Sequence, residues 1–177
     1  LTVDEINTLI DHATGDFKTL LIILVCTGQR LVDGVKLKWE SIDFDQRLIT
    51  LIPRKTARRT GKQVFVPMLP QLVEELQNRK NKGAYVLPDL VELYNRDAGS
   101  TLSKQVRKIF NGAGLKGSKN LDLQNKRAVV DTGAHSLRHS FVTIARLAGF
   151  PDPLIRQITG HTTQEMVDHY TQFSEKL

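Results

Sequence analysis

Cysteine is all but missing from this 177-residue chain, in which Cys26 stands alone. A single cysteine forms no internal disulfide and builds no cysteine-based zinc site, so the reducing cytoplasmic compartment is the default expectation. Long apolar runs are missing as well. The longest, residues 20–26 (LLIILVC), falls far short of the roughly 20 residues that a membrane-spanning helix needs, and no cationic-then-apolar leader opens the chain. No membrane partner is therefore expected. The sequence contains no Gly-x-x-x-x-Gly-Lys phosphate loop, no internal repeat and no low-complexity segment. Its Asp and Glu residues do not cluster as a two-metal nuclease would require.

What is present is a foldable composition with a basic excess. Hydrophobic residues make up 40% and charged residues 25%, enough to bury a core and too apolar for a disordered tail. At this length, one compact domain over residues 1–177 is the expectation. Lys and Arg number 25 against 19 Asp and Glu, a formal charge of +6, which by itself suits either a polyanionic partner or plain solubility. The distribution says more. Arg54, Lys55, Arg58, Arg59 and Lys62 crowd into nine residues, and residues 101–130 hold seven cations against one acid, Asp122. Because the first residue is Leu1 and not Met, the chain reads as a fragment.

The pattern predicts a mostly α (α+β) fold with a small antiparallel β-hairpin. Thr2-Val3-Asp4-Glu5 is a capping box ahead of an amphipathic helix. A more buried helix is expected over about 17–27, ending at Gly28, and a third starts at Arg30 and continues through about 39. Residues 47–52 and 63–66 are β-branched runs around a polar, cationic loop and predict a hairpin. Helices follow over about 70–80 and 102–110, with 81–100 unassigned and 111–127 read as a surface loop. Three helices close the chain, over about 136–148, over about 153–159 and from 163 onward, the first two stopped by Gly149 and Gly160.

Several residues suited to gripping a phosphodiester fall at the ends of these elements. Arg30 follows a helix stop, His135 and Arg138 open a helix, and His161 follows another stop. Two guanidinium forks can clamp both non-bridging oxygens of one phosphate, and helix N-termini add oriented N–H groups. Taken singly, Arg30 reads more readily as an ion pair with Asp33, and Arg138 as a solvated helix residue. In order, however, Thr27-Gly28-Gln29-Arg30 with Asp33, Arg54-Lys55-Thr56, His135-Ser136-Leu137-Arg138-His139, Gly160-His161 and Tyr170 resemble the catalytic domain of tyrosine recombinases, the phage integrase type. The resemblance covers nearly the whole chain.

That resemblance implies site-specific DNA cleavage and rejoining through a covalent 3′-phosphotyrosine. It makes Arg30, Lys55, His135, Arg138 and His161 the catalytic set and Tyr170 the nucleophile, with double-stranded DNA as partner and no metal or other cofactor. The chemistry is coherent on its own terms. A phenol with a reference pKa near 10 needs a proton acceptor, which His135 and His161 can provide. The expelled deoxyribose hydroxyl needs a proton, which Lys55 can deliver from the hairpin, and Arg30, Arg138 and His161 can meet the charge that builds on phosphorus. Asp33, one helical turn from Arg30, is expected to hold a guanidinium or a histidine in place. His139 reads as a packing or supporting residue, since His135-x-x-x-His139 lacks the glutamate of a zinc hydrolase and Arg138 would repel a dication.

Arg54, Arg58, Arg59 and Lys62, and Lys104, Arg107 and Lys108 on the 102–110 helix, are expected to touch DNA phosphates. Arg30→Ala or Arg138→Ala is expected to abolish cleavage without disturbing the fold. Relaxation of the type IB topoisomerase kind and a non-catalytic DNA-binding module are the alternatives. The resemblance also implies an upstream N-terminal DNA-binding domain and tetramer formation on two DNA sites in the full-length protein. With neither that domain nor more than seven residues after Tyr170, weak DNA affinity and a monomer in solution are the expectations for this piece.

Overall fold

The structure, a computed structural model, describes residues 1–58, 61–79, 83–115, 119–122, 127–130 and 132–160. The opening helix α1 (Val3–His12) begins as the capping box requires: the Thr2 hydroxyl accepts the Glu5 N–H at 3.2 Å, and the Glu5 carboxylate accepts the Thr2 N–H at 2.8 Å. Helix α2 (Gly15–Thr27) is apolar on every side, and Leu20, Leu21, Ile22, Ile23, Leu24 and Cys26 are all buried. A helix of that kind belongs in the middle of a core. Accordingly α2 packs against α1, the short α3 (Leu31–Val35), α5 (Pro70–Gln77) and α8 (Ala134–Leu147). Gly34 lets α3 come close, because a Cβ there would stand 2.7 Å from Leu24 Cδ2.

The third helix ends at Val35, well short of the expected 39. Leu37 is buried, and the chain around it turns extended to pair with residues 84–86: Val86 N–H donates to Leu37 C=O at 3.0 Å and Trp39 N–H to Ala84 C=O at 3.0 Å. Ladder bonds to a distant segment outweigh local helical preference here. After a 3₁₀ turn at Trp39–Ser41, strands β1 (Ile42–Asp43), β2 (Leu48–Leu51) and β3 (Val64–Pro67) form an antiparallel sheet in that order. Ile49 faces Val66 across the β2–β3 ladder, and both are fully buried on the core side. The predicted hairpin is therefore present, with one helical turn, α4 (Arg54–Ala57), set into its connection.

The segment without a sequence assignment contains α6 (Pro88–Asp97), which starts with proline in its first turn, as a helix tolerates. Helix α7 (Ser100–Gly112) buries Leu102, Val106 and Phe110. The expected 111–127 surface loop is corrected: β4 (Lys119–Asp122) and β5 (Arg127–Val130) pair antiparallel, Lys119 opposite Val130. Lys, Asn and Asp are poor strand formers, so composition gave no sign of this ladder. Helix α8 and α9 (Asp152–Thr159) follow, α9 ending at Gly160 in the left-handed conformation. The helix expected from 163 onward lies outside the described residues. No described helix is long and apolar enough to cross a membrane.

Candidate active site

Helix ends build this site. Gly28 closes α2 at φ 62°, and a Cβ there would meet the Phe141 ring at 2.4 Å, so both backbone and space demand glycine. The chain then reverses, and Arg30 takes the N-cap position of α3, half-buried, its Nη1 buried without a hydrogen-bond partner. One turn on, Asp33 is 6% exposed. It does not hold a guanidinium or a histidine by hydrogen bond as the sequence reading expected. Instead its Oδ1 accepts the backbone N–H of Arg54 at 2.9 Å, which ties the start of α4, and so the Lys55-bearing turn, to α3. The reason is positional: the hairpin connection returns over α3 and presents an N–H without a helical partner. Oδ2 of Asp33 is buried and unbonded. Burial raises its pKa above the ordinary carboxylate value, against the lowering effect of the Arg54 N–H and of the charges on Arg30, Arg138 and Arg54.

Helix α8 contributes the central pair. Gly133 caps it, exchanging hydrogen bonds with Ser136, and His135 stands in the first turn, exposed on its outer side. Arg138, one turn deeper, is 1% exposed. Its Nη1 donates to Gly28 C=O at 2.6 Å and its Nη2 to Thr159 C=O at 2.7 Å. Both acceptors belong to helix C-terminal ends, where carbonyls lack intrahelical partners and the dipole favours a cation. A buried charge is tolerable because it is bonded in this way. Arg138 is thus neither a solvated helix residue nor a purely catalytic candidate, since Arg138→Ala would orphan two buried carbonyls. The expectation that this variant spares the fold is withdrawn, and Arg30→Ala is the cleaner probe.

Three of the cations singled out from the sequence act on His135. Desolvation, then the charges of Arg138, Arg30 and Lys55, lower the His135 pKa below the usual imidazole value. These effects favour the neutral imidazole, the form that can accept a proton. His139 lies on the same helix with its ring edge-to-face against His135, centroids 4.8 Å apart, a packing arrangement. Among the described residues, no three His, Cys, Asp or Glu side chains gather as metal ligands would.

The other cations are placed as follows. Arg54, Lys55 and Arg58 are exposed on and beside α4, and Lys62 is exposed ahead of β3. Lys104, Arg107 and Lys108 share the solvent face of α7, away from Leu102, Val106 and Phe110. Arg59, His161 and Tyr170 lie outside the described residues. Sequence reasoning gave no role to Gln29, which is 1% exposed and donates from Nε2 to Ile158 C=O at 2.7 Å. Its place between Gly28 and Arg30 was the one available signal.

The phage integrase family matches residues 1–176. Tyrosine recombinase XerA of Pyrococcus furiosus is 24% identical across 99% of this chain and 58% of its own length. The crystal structure of XerA recombinase superposes with a TM-score of 0.70 at 23% identity, covering 97% of this chain and 57% of that one. That of the site-specific recombinase XerH bound to its palindromic difH substrate, a post-cleavage complex, gives 0.65 at 22% identity over 99% and 50%. At these identities the structural likeness concerns the fold, and the chain spans little more than half the length of the relatives it matches.

Proposed function

Since this chain belongs to the phage integrase family, we propose that it cuts and rejoins double-stranded DNA at specific sites, through a covalent 3′-phosphotyrosine, as a tyrosine recombinase catalytic domain. The observation that carries the reading is the convergence of the Arg30, Lys55 and Arg138 charges on His135, whose neutral form they favour. Fixed cations around one neutral base suit a reaction in which a proton leaves a phenol while negative charge grows on phosphorus. A relative of known structure, XerH, was captured on its DNA substrate after cleavage, which supports DNA as the partner.

In this reading Tyr170 attacks phosphorus, its proton passing to His135 or His161. A phosphotyrosine bond forms as the bond from phosphorus to the deoxyribose 5′ oxygen breaks, and Lys55 gives that oxygen its proton. Arg30, Arg138 and His161 stabilise the pentavalent phosphorus. The reverse attack by another DNA hydroxyl restores the tyrosine and a phosphodiester, so the bond energy is conserved and no ATP is consumed. Guanidinium and ammonium groups supply the charge, with no cofactor in the scheme. Asp33 supports Lys55 by anchoring the Arg54 N–H. Arg54, Arg58, Arg59, Lys62, Lys104, Arg107 and Lys108 contact flanking phosphates, His139 packs behind His135, and the reaction takes place in the cytoplasm.

The test uses nicked duplexes carrying a randomised core, incubated with the protein and run on a denaturing gel. A DNA–protein adduct is expected, and it should vanish in Tyr170→Phe. An adduct that persists in Tyr170→Phe rules that residue out as nucleophile. Relaxation of supercoiled plasmid regardless of sequence would instead indicate topoisomerase-like activity, which the family and its recombinase relatives do not favour.

A further inference from the structure

Helices α2 and α9 finish alike, each on a left-handed glycine, Gly28 at φ 62° and Gly160 at φ 67°. The last carbonyls of a helix have no partner within it. In this fold those of the two helices lie near enough to share donors. Arg138 takes Gly28 C=O at 2.6 Å with one nitrogen and Thr159 C=O at 2.7 Å with another. Gln29 repeats the arrangement one residue back along both helices: its Nε2 donates to Ile158 C=O at 2.7 Å and to Thr27 C=O at 3.3 Å. Each side chain thus joins one carbonyl of α2 to one of α9. The four acceptors are consecutive pairs, residues 27 and 28 on one helix and 158 and 159 on the other.

The orientation of the Gln29 amide is not arbitrary. Both neighbours are acceptors, so the NH₂ group must face them, and Oε1 points elsewhere, buried and without a partner. Leaving an amide oxygen unbonded is unfavourable, and the two N–H bonds are what the carboxamide gains at this position. The packing of α9 on β3 and the Arg138 fork already hold this end of the helix in place, and the Gln29 amide adds a donor from a different element. Two separate donors, Gln29 between α2 and α3 and Arg138 on α8, restrict the direction of the helix end as well as its distance.

We propose that Gln29 is a positioning residue, the second bar of a two-bar clasp that fixes the end of α9 relative to Arg30. The catalytic consequence rests on the recombinase reading; the clasp itself does not. Groups that must meet one phosphorus atom tolerate little drift, since a displacement of about 1 Å can lower a rate about a hundredfold. Gln29 touches neither substrate nor reacting atoms and acts through the backbone of α9.

Gln29→Met keeps the length of the side chain and removes both N–H donors, and Gln29→Glu at neutral pH sets an acceptor against both carbonyls. Hydrogen exchange read by mass spectrometry should show residues 152–160 exchanging about tenfold faster in Gln29→Met and faster still in Gln29→Glu, with α1 and α7 unchanged. On nicked duplexes selected with the wild-type protein, adduct formation should slow at least about tenfold while duplex affinity stays within about twofold. Unaltered exchange over 152–160 would overturn the clasp, as would an equal rise in every helix, which marks general loosening. Faster exchange with an unchanged adduct rate would overturn the positioning role. Should the wild-type protein form no adduct, the recombinase reading fails and the exchange data alone decide the clasp.

Discussion

At His135 the surroundings work against the charged form of the imidazole. Its unfolded pKa is the ordinary one near 6.5, and the folded value lies lower because of desolvation and the charges of Arg138, Arg30 and Lys55. The unfolded chain therefore binds a proton more readily. Folding stability should be full above about pH 6.5 and should fall as the pH drops from there toward the folded value. His135→Gln is expected to flatten that acid slope in chemical denaturation curves taken between pH 5 and 7, approximate bounds set by the reference pKa. If the slope survives the substitution, the depressed imidazole belongs to another histidine. Asp33 teaches a related lesson. Its spacing from Arg30 suggested an ion pair on one helix face, yet its bonded oxygen serves the Arg54 backbone, a partner that no local pattern reveals.

Among the elements, the reversal between α2 and α3 carries the most constraint. Gly28 combines a positive φ with a neighbour, Phe141, too close for any side chain. Gly28→Ala should cost about 2–4 kcal/mol in urea unfolding, from left-handed strain and overpacking together. Gly160→Ala should cost less, because its nearest obstacle is Pro53 Cγ at 3.2 Å. Equal costs at the two glycines would mean that Phe141 moves aside freely. The hairpin shows how an element can be foreseen and still differ in a part that matters. Two β-branched runs on either side of a polar loop pointed to the ladder, whereas the α4 turn that carries Lys55 is tied down by Asp33.

At the scale of the whole molecule, charge is the property that reaches furthest. The formal charge of +6 is spread so that exposed cations border the site around α4 and line the outer face of α7. Contacts of that kind release counterions from DNA, so affinity should fall steeply with salt. The double variant Arg58→Gln with Lys62→Gln is expected to reduce the slope of log affinity against log salt by about 2 on a non-specific duplex. An unchanged slope would place both side chains away from the backbone of the DNA.

Sequence alone was enough for the parts of this protein governed by neighbours along the chain. The capping box at Thr2, the apolarity of α2, the glycine stops at 28 and 160 and the β-branched runs of β2 and β3 each follow from local sterics or periodicity, and the ordered motifs pointed to the family. Only the tertiary structure decided what was set by segments far apart. These features are the extended stretch after Val35 that pairs with 84–86, the attachment of Asp33 to Arg54, and the sharing of two helix ends between Arg138 and Gln29. In each of them a backbone N–H or C=O with no local partner found one elsewhere in the fold. Such a need is the same for every residue type and leaves no trace in composition.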